Sequence, residues 1–192
     1  MKVLLVNPPF EQEEESVGKT KSVRKVLNII PPLGITYIAA VLEKIGAEVK
    51  IIDCATGVSY EKVFKMLKEE FPDVIGITST TPAFVNAKKV ASFVRRELPR
   101  VKTIIGGAQV SALPHETMET SLFDIGVLGE GELTIEKLFK NYENNDFKEL
   151  DKINGIVYVN ENGVQQNKNQ EFINNLDSIP LPARHLLPHP IC

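Results

Sequence analysis

Two cysteines in 192 residues, Cys54 and Cys192, are too few and too far apart for a disulfide framework or a zinc site. Cys54 reads as a small apolar residue at a strand end rather than a redox or metal thiol. No apolar run approaches the roughly 20 residues that span a bilayer, and the run after Met1 is too short for a signal peptide. Basic residues are not in excess: the formal net charge is -3. A nucleic-acid binder would show a basic face, so neither nucleic acid nor a membrane is expected as a partner, and the chain reads as cytoplasmic. Histidine is scarce too. His185 and His189 sit in a proline-rich tail, and His115, beside Pro114, reads as a surface residue. No catalytic constellation can be assembled from them.

What is present is an alternation of short apolar runs with helical patterns. Strands are expected at 2–6, 48–52, 73–78, 101–105 and 124–128. Each is followed by a helical segment. Ile35, Ile38, Ala39, Leu42 and Ile45 form one apolar face, with Gly46 placed to end the helix. Ser59 can cap the next helix, which carries Tyr60, Val63, Phe64, Leu67 and Phe71 at helical spacing. Thr81-Pro82 reads as N-cap plus first-turn proline, ahead of Ala87, Val90, Ala91, Val94 and Leu98. A short helix is expected near Pro114, and a last one carries Ile135, Leu138, Phe139 and Tyr142.

This pattern predicts an α/β fold: an open, five-stranded parallel, Rossmann-like (flavodoxin-like) sheet with helices on both faces. The expected strand order is 2-1-3-4-5. Residues 1–150 would form this unit. In 151–192, Asn162-Gly163 between Ile153 to Asn160 and Val164 to Asn167 signals a β-hairpin. A connector follows, in which prolines 180, 182, 188 and 190 disfavour helix and central strand. Residues 11–28 are a charged interruption of the first strand-to-helix connection, either a solvated loop or a flap over a ligand.

Open parallel sheets bind ligands beyond the carboxyl ends of their strands, where strand order reverses. The residues at that edge are Asn7-Pro8-Pro9, Asp53-Cys54, Ser79-Thr80-Thr81, Gly106-Gly107 and Gly129-Glu130-Gly131-Glu132. They are small and polar, and their glycines allow a bulky ligand to approach the backbone. Glu130 and Glu132 could act as paired acids or simply as favourable charges at a helix N-terminus. Several common sites fail. Gly18-Lys19-Thr20 mimics the end of a phosphate-binding loop, but the required upstream glycine is Glu13. No GxGxxG follows the first strand. A phosphoacceptor receiver needs acids where Asn7 and Ser79 stand.

Taken together, Asn7-Pro8-Pro9, Pro31-Pro32-Leu33-Gly34, Gly106-Gly107 and Gly129-Glu130-Gly131-Glu132 resemble the N-terminal cobalamin-binding domain of radical S-adenosylmethionine proteins. Leu176 to Ala183 is similar to their connector to the radical domain. The resemblance covers nearly the whole chain and implies cobalamin as cofactor. With Gly34 on the motif glycine, the DxHxxG motif of cobalamin domains places Ile29 at its aspartate and Pro31 at its histidine. Neither ligates cobalt, which would stand base-off without a histidine ligand. Ser79, Thr80 and Thr81 would flank the nucleotide tail, Gly106 and Gly107 would admit it, and Gln109 replaces a histidine common among relatives. The resemblance further implies methyl transfer or another radical transformation in a methyltransferase-like enzyme. The 4Fe–4S cluster and S-adenosylmethionine would belong to a partner radical core domain, since this chain lacks CxxxCxxC. The alternative is a non-catalytic docking domain that kept the fold without binding cobalamin.

Overall fold

The computed structural model describes residues 1–8, 31–143 and 146–187. Pro9, the segment 11–28, Ile29, His189 and Cys192 lie outside the described residues. Five strands run parallel: β1 (Lys2–Asn7), β2 (Glu48–Asp53), β3 (Val74–Thr78), β4 (Lys102–Gly106) and β5 (Ile125–Val127). Their order is β2-β1-β3-β4-β5, the order expected. The hairpin, β8 (Ile156–Asn160) and β9 (Gly163–Gln166), continues the same sheet. β8 pairs antiparallel with β5, Gly126 opposite Val157. The short antiparallel pair β6 (Tyr142–Glu143) and β7 (Asp146–Phe147) stands apart.

Period-two alternation along each strand sends side chains to two separate cores. Val3, Leu5, Val74, Ile104 and Val127 point to one face, covered by α1 (Leu33–Lys44) and α6 (Glu132–Lys140). Leu4, Val6, Ile75, Ile77 and Ile105 point to the other. That face is covered by α2 (Tyr60–Glu70), α3 (Phe84–Glu97), α4 (Ala108–Ala112) and α5 (Pro114–Met118). Gly46 ends α1 at φ +87°, and its N–H donates to the Glu43 carbonyl. Ser59 caps α2 through a 3.4 Å bond from the Lys62 N–H.

Two helix boundaries differ from expectation. α3 begins at Phe84, not at Pro82. Ala83 and Phe84 donate to the carbonyls of Thr80 and Thr81, so the chain makes two tight turns before the helix proper. Tyr142 is not helical: α6 stops at Lys140 and Tyr142 enters β6, where its ring lies 4.8 Å from that of Phe147 and 6.4 Å from that of Phe139. Gathering these rings outcompetes the helical spacing. Among the described residues the proline-rich connector carries short 3-10 turns, and it folds back on α1. The Ala183 N–H donates to the Thr36 carbonyl (3.0 Å), and His185 Nε2 lies 2.9 Å from Glu43 Oε1.

Candidate functional site at the carboxyl edge of the sheet

Strand order reverses between β2-β1 and β3-β4-β5, and a cavity of about 330 Å³ opens at that edge. It runs down the α1/α6 face of the sheet. Its mouth is built from Gly34, Thr78, Gly106, Gly107, Gly129, Glu130, Gly131 and Glu132. Its depth is walled by Val3, Leu5, Val74, Gly76 and Ile104 from the strands, and by Ile38, Leu42, Ile135 and Phe139 from the helices. Ligand cavities commonly combine an apolar interior with a few polar groups at one end; this one does so along the length of the strands.

Of the site residues singled out in the sequence, seven border the cavity: Gly34, Gly106, Gly107, Gly129, Glu130, Gly131 and Glu132. At Gly34, Gly106 and Gly129 an added Cβ would meet nothing within 4 Å, so the space before them is open. Gly107 has a different reason to be glycine. Its φ of +99° is combined with a Cβ position 2.7 Å from the Ser79 carbonyl oxygen, where β3 and β4 end side by side. Its close approach is to the protein's own backbone. Glu130 is exposed and accepts a 3.3 Å bond from the Ile173 N–H, which ties the connector to the mouth.

The other predicted residues build the edge without bordering the cavity. Asn7 Nδ2 donates to Asp53 Oδ1 (2.8 Å), which also accepts from the Ala55 N–H (3.1 Å). This locks the ends of β1 and β2 together. Asp53 is buried, and its replacement by alanine orphans both donors. Asp53→Ala is therefore expected to cost about 2 kcal/mol and about 4–8 °C in the thermal midpoint; an unchanged melt would show that the bond adds nothing. Pro8 is buried, Pro31 half-buried, and Leu33 exposed. Ser79 is buried, its N–H donating to the Gly106 carbonyl (2.9 Å) and its hydroxyl to the Thr80 carbonyl (2.9 Å). Thr80 and Thr81 are exposed in the turns before α3.

Gln109 is buried in α4. Its N–H donates to the Ser79 carbonyl (3.0 Å) and its Nε2 to Thr117 Oγ1 (3.3 Å), whereas its Oε1 has no partner among the described residues. Cys54 is buried, and burial, reinforced by the neighbouring Asp53 charge, pushes its thiol up to about 12. It is a poor thiolate at neutral pH, consistent with an apolar role. His115 is exposed; among the described residues no histidine borders the cavity and no group of three metal-ligating side chains occurs. None of the described helices is long and apolar enough to cross a membrane.

Sequence reasoning missed the apolar depth of the cavity. The one signal that could have marked it is Gly76, a glycine inside a strand, which often denotes close approach or missing side-chain volume. There a Cβ would stand 2.7 Å from Leu5 Cδ2.

Comparison with known proteins identifies the family. The model of the B12 binding domain family matches residues 20–139. The chain is 35% identical over 190 residues to an uncharacterized methyltransferase of Pyrococcus horikoshii, covering 98% of this chain and 39% of that protein. It is 30% identical over 194 residues to the cytidylyl-2-hydroxyethylphosphonate methyltransferase of Streptomyces wedmorensis, covering 80% of this chain and 36% of that protein. The chain thus spans less than two fifths of the length of these curated relatives.

Among solved structures, it superposes on OxsB, a cobalamin-dependent S-adenosylmethionine radical enzyme with aqua-cobalamin and S-adenosylmethionine bound. The TM-score is 0.75 at 24% identity, over 95% of this chain and 24% of that one. For the radical S-adenosylmethionine methyltransferase TsrM from Kitasatospora setae, with cobalamin and a [4Fe-4S] cluster bound, the TM-score is 0.67 at 21% identity. That match covers 87% of this chain and 30% of that one. At such identities these two likenesses establish the shared fold. With a family match that runs through more than half of its residues, the chain belongs to the B12 binding domain family.

Proposed function

We propose that this chain holds cobalamin as the corrinoid module of a radical S-adenosylmethionine methyltransferase-like enzyme. The observation that carries the reading is the cavity itself: an apolar shaft under a glycine-built mouth, at the point where strand order reverses. The fit is physical. Gly34, Gly106 and Gly129 leave open the volume that side chains would fill, so a large ring system can lie against backbone. The shaft below offers an apolar slot for an aromatic tail.

In this reading Gly34, Gly106, Gly129 and Gly131 border the ligand. Thr78, Glu130 and Glu132 supply the polar contacts of the mouth. Asn7, Asp53, Ser79 and Gln109 hold the strand ends in register, and Pro8, Leu33, Thr80, Thr81 and Gly107 complete the rim. The corrinoid, when bound, supplies a cobalt able to carry a methyl group. Pro31 stands where the resemblance places the ligating histidine of cobalamin domains, so the chain would offer cobalt no imidazole from that position, and a corrinoid with its nucleotide tail in the shaft would be held base-off. The chain's own work is to bind, orient and keep water from the apolar tail. The 4Fe–4S cluster and S-adenosylmethionine belong to a radical core domain, the proposed partner, and the assembly is cytoplasmic.

Equilibrium dialysis against hydroxocobalamin, read by corrin absorbance, tests this. Saturable retention of one corrinoid per chain is expected. A chain that is folded by circular dichroism yet retains none would overturn the reading in favour of a docking domain that kept the fold alone.

A further inference from the structure

The cavity is polar only at its mouth. Thr78, Glu130 and Glu132 sit at the carboxyl edge, whereas Val3, Leu42, Val74, Gly76, Ile104 and Phe139 wall the interior. Gly76 and Thr78 keep some exposure on this face of β3 whereas Val74 and Leu42 have none, so the open shaft follows two strand steps, about 7 Å, with Val74 and Leu42 as its floor. The strand backbone in its wall is already paired. Val3 stands opposite Val74 and Leu5 opposite Gly76 in one ladder, and Gly76 opposite Ile104 in the next. A ligand at depth therefore finds no free donor or acceptor among the described residues. It does find room, since an apolar cavity of roughly 150 Å³ takes up benzene and this one measures about 330 Å³.

We infer that the shaft discriminates among corrinoids by their lower base, accepting an apolar aromatic base of the benzimidazole class and rejecting a purine. The inference rests on the corrinoid reading above and adds to it a specificity. Nitrogens and the amine of a purine would be stripped of water with nothing to replace it, which is costly for each group left unpaired. A benzimidazole has far less to lose, and its methyl groups gain contact with Leu42, Val74 and Phe139.

The test is equilibrium dialysis of the intact chain against three hydroxo-corrinoids: one with a dimethylbenzimidazole tail, one with an adenine tail, and cobinamide, which has no nucleotide. The benzimidazole form is expected to bind at least about 30-fold more tightly than the adenine form, and cobinamide also more weakly. Releasing the base from cobalt is harder for the benzimidazole form, which lowers the measured ratio, so each affinity is corrected for that corrinoid's base-release equilibrium measured free in solution. Equal or inverted affinities of the two tailed forms would overturn the inference and leave the corrinoid reading standing; retention of no corrinoid would overturn both. Val74→Thr, nearly isosteric, places a hydroxyl in the wall and is expected to narrow the ratio by about threefold or more. A ratio that Val74→Thr leaves unmoved would show that this wall is not where the bases are told apart.

Discussion

Gly107→Ala is expected to lower the thermal unfolding midpoint by about 6–12 °C, although only one methyl group is added. Gly107 combines φ +99° with ψ -171°, a region that residues with a Cβ essentially do not enter, at a cost of about 1–3 kcal/mol. The added carbon would also stand 2.7 Å from the Ser79 carbonyl oxygen and 3.1 Å from its nitrogen. Both are backbone atoms pinned in place, because the Ser79 N–H donates to the Gly106 carbonyl and the Ser79 carbonyl accepts from Gln109. Neither can yield without opening the end of the β3–β4 ladder. Strain and overlap together reach about 3 kcal/mol, converted at about 2–4 °C per kcal/mol for a chain of this size. A melt within 2 °C or so of wild type would mean that the turn relaxes freely.

Gly106→Trp, one residue earlier, is expected to do the reverse: little to stability and much to binding. A Cβ at Gly106 meets nothing within 4 Å, and the residue borders the cavity. An indole has space to enter the mouth of the cavity, where it would occupy the volume assigned to the ligand. Cobalamin retention should fall at least about 100-fold, equivalent to roughly 2.8 kcal/mol, with the melt little changed. Cobalamin binding within threefold or so of wild type would place the ligand elsewhere. The pair separates two roles that adjacent glycines in one motif tend to be given together. A tryptophan at Gly107 would test nothing about the ligand, because it would first break the strand ends.

Much of the architecture was legible in the residues. Parallel strands buried on both faces are near-continuous apolar runs, and β1, β3 and β4 are written that way. The order of the five strands is not written in the residues: right-handed crossovers leave few topologies, and 2-1-3-4-5 is the choice among them. The strand-end segments did converge on one edge. The cavity was not legible, because its walls are made of the same residue types as a filled core. Ile38, Leu42 and Phe139 at helical spacing look alike whether they close on the sheet or stop short of it. The bond between Asn7 and Asp53 needed the adjacency of β1 and β2. The helical reading of Tyr142 failed because its ring packs against Phe147 across the β6–β7 pair, a partner outside the helical spacing, and Thr81-Pro82 because two turns intervene before α3.

The hairpin that continues the sheet has a consequence for handling the protein. β5 is only three residues long and apolar throughout, and β8 covers it, with Val157 set against Gly126. The outermost strand is then β9, Gly163-Val164-Gln165-Gln166, polar and partly exposed. Unpaired apolar strands template intermolecular pairing, whereas short polar ones do not. A chain shortened to about residue 150 would expose β5 to its neighbours, and colloidal stability, rather than folding energy, would be the first property to suffer.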